Sequence, residues 1–87
     1  MDDKFDDWEK LGFIKASEHR KKILLSLRDN PKTPKELVKE TGFYISHISY
    51  DLRELSESGF IECKTPNLKK GKLFSLTELG KKIVEKL

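Results

Sequence analysis

The stretch from Thr33 to Ile61, TPKELVKETGFYISHISYDLRELSESGFI, decides the fold of this 87-residue chain. It opens on Thr33-Pro34-Lys35-Glu36. There the threonine oxygen can accept the Glu36 amide while the glutamate reaches back, and proline suits the first helical position because its missing N–H has no partner to lose. Leu37 and Val38 point inward, and Gly42 closes this helix as a C-cap. After a tight break, Ile45, Ile48, Leu52 and Leu55 recur at intervals of 3, 4 and 3, the buried stripe of an amphipathic helix that ends at Gly59. Two short helices joined by a glycine-containing break form a helix-turn-helix.

Downstream, the period changes. Phe60 to Thr65 reads as a strand, Pro66 to Gly71 as a loop, and Lys72 to Leu76 as a returning strand. Thr77 can cap a last helix over residues 78–87, with Leu79, Ile83 and Leu87 on one face. Upstream, Ser17 is a candidate N-cap for a helix running to about Arg28, ended by Asp29-Asn30-Pro31 because proline cannot continue it. Phe5, Trp8 and Leu11, three apart, suit one side of a short helix that Gly12 interrupts. The expected fold is mainly α with a small β hairpin (α+β), in the order helix-helix-helix-hairpin-helix, which is the order of a winged helix. Residues 1–16 form an apolar and acidic extension, and residues 17–87 the winged-helix domain.

Length and composition bound the function. A chain this short is one domain and buries only about 60–65% of its unfolded surface, so a second copy is a natural source of further core. The longest apolar run is Ile23-Leu24-Leu25, far short of the ~20 residues a membrane helix needs. No charged-then-apolar leader opens the chain, and the lone Cys63 has no partner for an internal disulfide, so a cytoplasmic protein is expected. The chain carries +3 in all, but its first ten residues hold five acids against two lysines, −3, which leaves +6 on the rest. A basic body suits a polyanion, since each lysine placed on a phosphate releases a counterion.

The run from Leu37 to Ile61 resembles the winged-helix regulators of the ArsR/MarR type, particularly small archaeal ones. The resemblance rests on Gly42 ending the second helix, on Ile48-Ser49 within the third, and on the Leu52-to-Ile61 run with its Gly59-Phe60-Ile61 exit. Gly71 to Lys81 is similar to the second wing strand and the start of the closing helix of that family. It covers roughly residues 17–87 and implies a dimeric, sequence-specific transcriptional regulator; separately, no cofactor is expected from the residues. Tyr44 departs from it, standing where such proteins often have a serine cap.

On a helical projection the recognition helix, about residues 45–58, turns Ile45, Ile48, Leu52 and Leu55 inward. Ser46, Tyr50 and Arg53 fall on the opposite face, flanked by His47 and Ser49. These five are the candidate base readers, because the N-terminal part of such a helix enters the major groove. The same helix carries Asp51, Glu54 and Glu57 against Arg53, a net −2 that would repel phosphate. Grip must then come from elsewhere: from Lys35 and Lys39 on the preceding helix, with Lys32 before them, and from Lys69, Lys70 and Lys72 at the tip of the wing, residues 60–76. Arg20, Lys21 and Lys22 are weaker candidates.

No nucleophile–base pair, glycine-rich phosphate loop or carboxylate pair stands out, so no catalytic residue is assigned and an enzyme is not expected. Cys63, His19 and His47 lie in separate elements without ligand spacing, so no metal site is expected either. Phe5, Trp8, Leu11 and Phe13 are many large apolar groups for a free tail. Together with Ile83, Val84 and Leu87 they are candidates for a homodimer contact. A two-fold dimer on double-stranded DNA predicts an inverted-repeat operator. Two alternatives remain on the residues alone: a winged-helix module that docks a protein on its acidic helix, and a non-specific nucleic-acid-binding protein using the same basic surfaces.

Overall fold

The computed structural model describes the backbone of residues 3–87 and the side chains of residues 8–87. Among them the element order is α1 (Asp3–Lys15), α2 (Glu18–Ser26), α3 (Pro34–Thr41), α4 (Ile45–Glu57), β1 (Ile61–Cys63), β2 (Phe74–Leu76) and α5 (Glu78–Glu85). The hairpin pairs β1 and β2 antiparallel, with Ile61 opposite Leu76, Glu62 opposite Ser75 and Cys63 opposite Phe74.

The starts of α2, α3 and α5 follow from their capping chemistry. Ser17 accepts the Arg20 amide and Thr77 that of Gly80. Thr33 and Glu36 complete the capping box ahead of α3, each satisfying an amide the helix would otherwise leave unpaired. Gly42 ends α3 in the left-handed region at φ 79°, where a side chain would be strained.

One core joins all five helices among the described residues. Ile14 of α1, Ile23 and Leu24 of α2, Leu37 of α3, Ile48 and Leu55 of α4 and Ile83 of α5 are fully buried, with Phe60 filling the space ahead of β1. Truncating any one of these to alanine would cost about 2–5 kcal/mol, since a core of this size cannot collapse over the hole.

Four features differ from the sequence-based expectation. Helix α1 runs unbroken through Gly12 to Lys15, because Leu11 and Ile14 find core partners that outweigh glycine's low helix propensity. Ile45 is 52% exposed, whereas Asp51 is buried at 4% beside Ile48 and Leu52. The strands are three residues each, shorter than the six and five expected. Finally, Lys32 pairs with Phe74 through two 2.9 Å backbone hydrogen bonds, so the chain entering α3 lies beside β2 as a third, one-residue strand. A one-residue bridge leaves no alternation for a sequence reading to detect.

Candidate nucleic-acid interface

The helix-turn-helix is α3 and α4, packed on each other and joined by Gly42, Phe43 and Tyr44. Thr41 stiffens the turn: its hydroxyl donates to the Leu37 carbonyl at 2.7 Å and accepts the Phe43 amide at 3.2 Å. Tyr44 takes the N-cap position of α4 with its ring 84% exposed and makes no side-chain cap. The first turn of α4 therefore presents backbone amides at the positive end of the helix dipole to whatever meets that end.

Ser46, His47, Ser49, Tyr50 and Arg53 are all exposed on α4. The hairpin folds back toward this face. Ser49, Arg53 and Ser56 of α4 line a shallow cleft of about 250 Å³ whose other wall includes Lys69, Gly71 and Lys72 of the wing loop and Pro34 at the start of α3. Two of the expected reading residues, Ser49 and Arg53, thus share this cleft with Lys69 and Lys72 of the wing. Lys35 and Lys39 are exposed on α3, as are Lys69 and Lys70 at the hairpin tip, with Lys72 half-buried.

The acids of α4 largely leave that surface. Asp51 points into the protein, with its side chain 6% exposed. Glu54 is held by Arg20 of α2, whose Nε lies 3.4 Å from Oε1. Of the three, Glu57 alone is exposed. The net −2 counted along the sequence is therefore not the charge the exposed face presents.

Two cations are occupied within the fold. Arg20 donates through a terminal guanidinium nitrogen to the Phe13 carbonyl at 2.8 Å and lies 3.8 Å above the Phe13 ring centroid, so it ties α1, α2 and α4 together. Lys32 donates to the Ser26 carbonyl and pairs with Glu40 at 3.1 Å, with its side chain 15% exposed. Both act as clamps within the fold.

A cluster missed by the sequence reading lies at the start of α4. His19 of α2 and His47 of α4, separate in the chain, stack with ring centroids 3.8 Å apart, and the edge of Phe43 packs on His19 at 4.1 Å. Asp51, one turn beyond His47, brings Oδ2 to 3.8 Å from His47 Nε2. That oxygen is buried with no hydrogen-bond partner among the described residues. Burial pushes the Asp51 carboxyl above its usual range, while the neighbouring imidazoles His47 and His19 pull the other way. Leaving a buried carboxylate oxygen unpaired costs at least about 1–3 kcal/mol. The i,i+4 spacing of His47 and Asp51 was legible in the sequence, but the arrival of His19 was not. His19 and His47, which the sequence places in separate elements without ligand spacing, are brought together by the packing of α2 on α4.

The residues expected at a dimer contact divide. Leu11, Ile83 and Val84 are buried within the single chain, where their side chains cover its own core. Phe13 stacks on Phe60 at 6.0 Å beneath Arg20, and Leu87 packs half-buried against the core. Trp8 stands out from α1 at 74% exposure. The side chain of Phe5 lies outside the described residues.

A helix-turn-helix, a hairpin whose loop shares a cleft with the second helix, and a closing helix define the winged helix-turn-helix class. Comparison with solved structures agrees. The chain is similar to the transcriptional repressor BigR from Xylella fastidiosa, with TM-score 0.81 and 23% identity over 98% of this chain and 83% of that one. HlyU from Vibrio cholerae gives 0.80 and 23% over 98% and 91%. The homodimeric winged helix-turn-helix DNA-binding domain of Mb0332 from Mycobacterium bovis, a possible ArsR-family regulator, gives 0.70 and 18% over 93% and 71%. A search of curated protein sequences found no match. The profile of the bacterial regulatory proteins of the arsR family matches residues 17–62. The chain belongs to the arsR family, and is a DNA-binding transcriptional regulator of that family. No helix among the described residues is long and apolar enough to cross a membrane.

Proposed function

We propose that the protein binds an inverted-repeat operator as a homodimer in the cytoplasm, with α4 choosing the sequence and the wing and α3 supplying the grip. The observation that carries this reading is the shared cleft, in which Ser49 and Arg53 of α4 face Lys69 and Lys72 of the wing. Ser46, His47 and Tyr50 extend the same exposed helix toward its N-terminus and take the base edges. Arg53, further along, takes a guanine edge or the flanking phosphate, while Lys35, Lys39, Lys69, Lys70 and Lys72 take phosphates.

Size and an exposed aromatic support the dimer reading. A core drawn from 87 residues is marginal by itself, and the exposed Trp8 on α1 offers the large apolar anchor typical of interface centres. Two recognition helices related by a two-fold axis would meet successive major grooves about 34 Å apart.

Enrichment of bound fragments from genomic DNA, with light scattering of the free protein, tests the proposal. A palindromic motif with half-sites one helical turn apart and a dimeric mass are expected. Binding that is steep in salt but enriches no motif would replace it with non-specific coating, and absence of binding at low salt would point to a protein-docking module.

A further inference from the structure

We infer that Ile45, the first residue of α4, reads the C5-methyl group of a thymine in the major groove and so selects a T·A pair at one position of the operator. This rests on the DNA-reading proposal above and adds to it a residue that the set of Ser46, His47, Ser49, Tyr50 and Arg53 leaves out. By spacing, Ile45 belongs to the stripe of Ile48, Leu52 and Leu55, yet it is 52% exposed while those three are buried. A large aliphatic group is thus left outside the core at the head of the recognition helix.

Scattered apolar side chains on a protein surface are ordinary, so position decides what this one does. Ile45, Ser49 and Arg53 follow one another at four-residue intervals and form one row along α4. Ser49 and Arg53 border the cleft shared with Lys69 and Lys72 of the wing. Ile45 ends that row at the N-terminal turn, the part of such a helix that contacts base edges. Beside it Tyr44 is 84% exposed, and Tyr50 is 63% exposed. Three of the six large apolar or aromatic side chains exposed among the described residues therefore stand at the N-cap or in the first two turns of α4.

The four bases differ in what they offer such a group. Thymine alone projects a methyl into the major groove; the purines present N7 with O6 or N6, and cytosine an amino group. Isoleucine has no donor or acceptor, so seating it against a polar edge strips water from that edge and returns no hydrogen bond. Against a thymine methyl it removes apolar surface of both partners from water. Branching at Cβ already restricts χ1 on a helix, so the contact costs little rotamer freedom.

Deoxyuridine differs from thymidine by that methyl alone and pairs identically, so thymine-to-uracil exchange tests the contact. Each thymine of an enriched operator is replaced in turn, and affinities of wild type, Ile45→Val and Ile45→Ala are measured by fluorescence anisotropy, with circular dichroism checking the fold. At one thymine position the exchange should weaken wild-type binding about fourfold, the affinity equivalent of one methyl-sized apolar contact. Ile45→Ala should bind the thymine operator more weakly by a similar factor and no longer distinguish thymine from uracil there. Ile45→Val, which keeps the branch, should retain part of the discrimination. An operator whose affinity is unchanged by every exchange, or an exchange effect of full size in both variants, would overturn the inference while leaving the DNA-reading proposal standing. If no duplex is bound, or binding enriches no motif, that proposal fails and the reading of thymine by Ile45 fails with it.

Discussion

Arg20 of α2 reaches Glu54 of the recognition helix, Nε to Oε1 at 3.4 Å, while its guanidinium rests 3.8 Å above the Phe13 ring of α1. One side chain thereby fixes the position of α4 against two other helices and removes an acid from the surface the helix offers. Arg20→Ala should lower stability by about 1–3 kcal/mol, because it removes a charged hydrogen bond and a cation–π interaction together. In a domain of this size each kcal/mol shifts the midpoint by about 4–8 °C, so a thermal melt reads the change directly. The freed Glu54 should also weaken duplex binding at low salt.

The closing helix is packed on the exit from the recognition helix at a point where only glycine fits. A Cβ on Gly80 would meet the Phe60 carbonyl oxygen at 2.1 Å, and that oxygen already accepts the Thr77 amide at 3.0 Å. Because the obstacle is backbone, the helix must move away. Gly80→Ala should cost about 3 kcal/mol, the upper end for overpacking, measured by urea denaturation against wild type.

Asp51 carries a stability cost with a definite pH sense. Its folded-state pKa is raised by burial above the ordinary carboxylate value, so the ionised form disfavours the fold. The penalty is absent below the unfolded pKa, grows as pH rises between the two values, and is complete above the folded one. Asp51→Asn should therefore gain stability relative to wild type at neutral pH. Denaturation curves at successively lower pH should show that gain shrinking, and a gain that widened on acidification would reverse the assignment.

The wing should act through charge alone. Replacing Lys69, Lys70 and Lys72 together by glutamine should flatten the log–log salt dependence of duplex binding by up to about 0.9 for each phosphate no longer neutralised. Fluorescence anisotropy at several salt concentrations measures the slope, and an unchanged slope would place these lysines off the DNA.

Much of this architecture was legible in the sequence because the local signals agreed with one another. Thr33-Pro34-Lys35-Glu36 became the capping box, Gly42 the left-handed cap, and Thr77 the start of the last helix. Ile48, Leu52 and Leu55 formed the expected buried stripe, but Ile45 did not, since the first turn of α4 projects beyond the core. What was hidden depended on tertiary packing. The continuation of α1 through Gly12 rests on partners for Leu11 and Ile14 contributed by other helices. Charge counted along α4 misled because Asp51 turns inward and Glu54 is met by Arg20, thirty-four residues away in the chain. The meeting of His19 with His47 had no local signature at all.

The ratio of affinities for an enriched operator and a scrambled duplex of equal length tests the division of labour between α4 and the wing most directly. Measured in parallel on His47→Ala, Tyr50→Ala and the wing triple variant, the ratio should collapse toward one in the two helix variants. It should survive in the wing variant, whose affinity for both duplexes falls together. A ratio that persists through both helix substitutions would contradict the assignment of sequence choice to His47 and Tyr50.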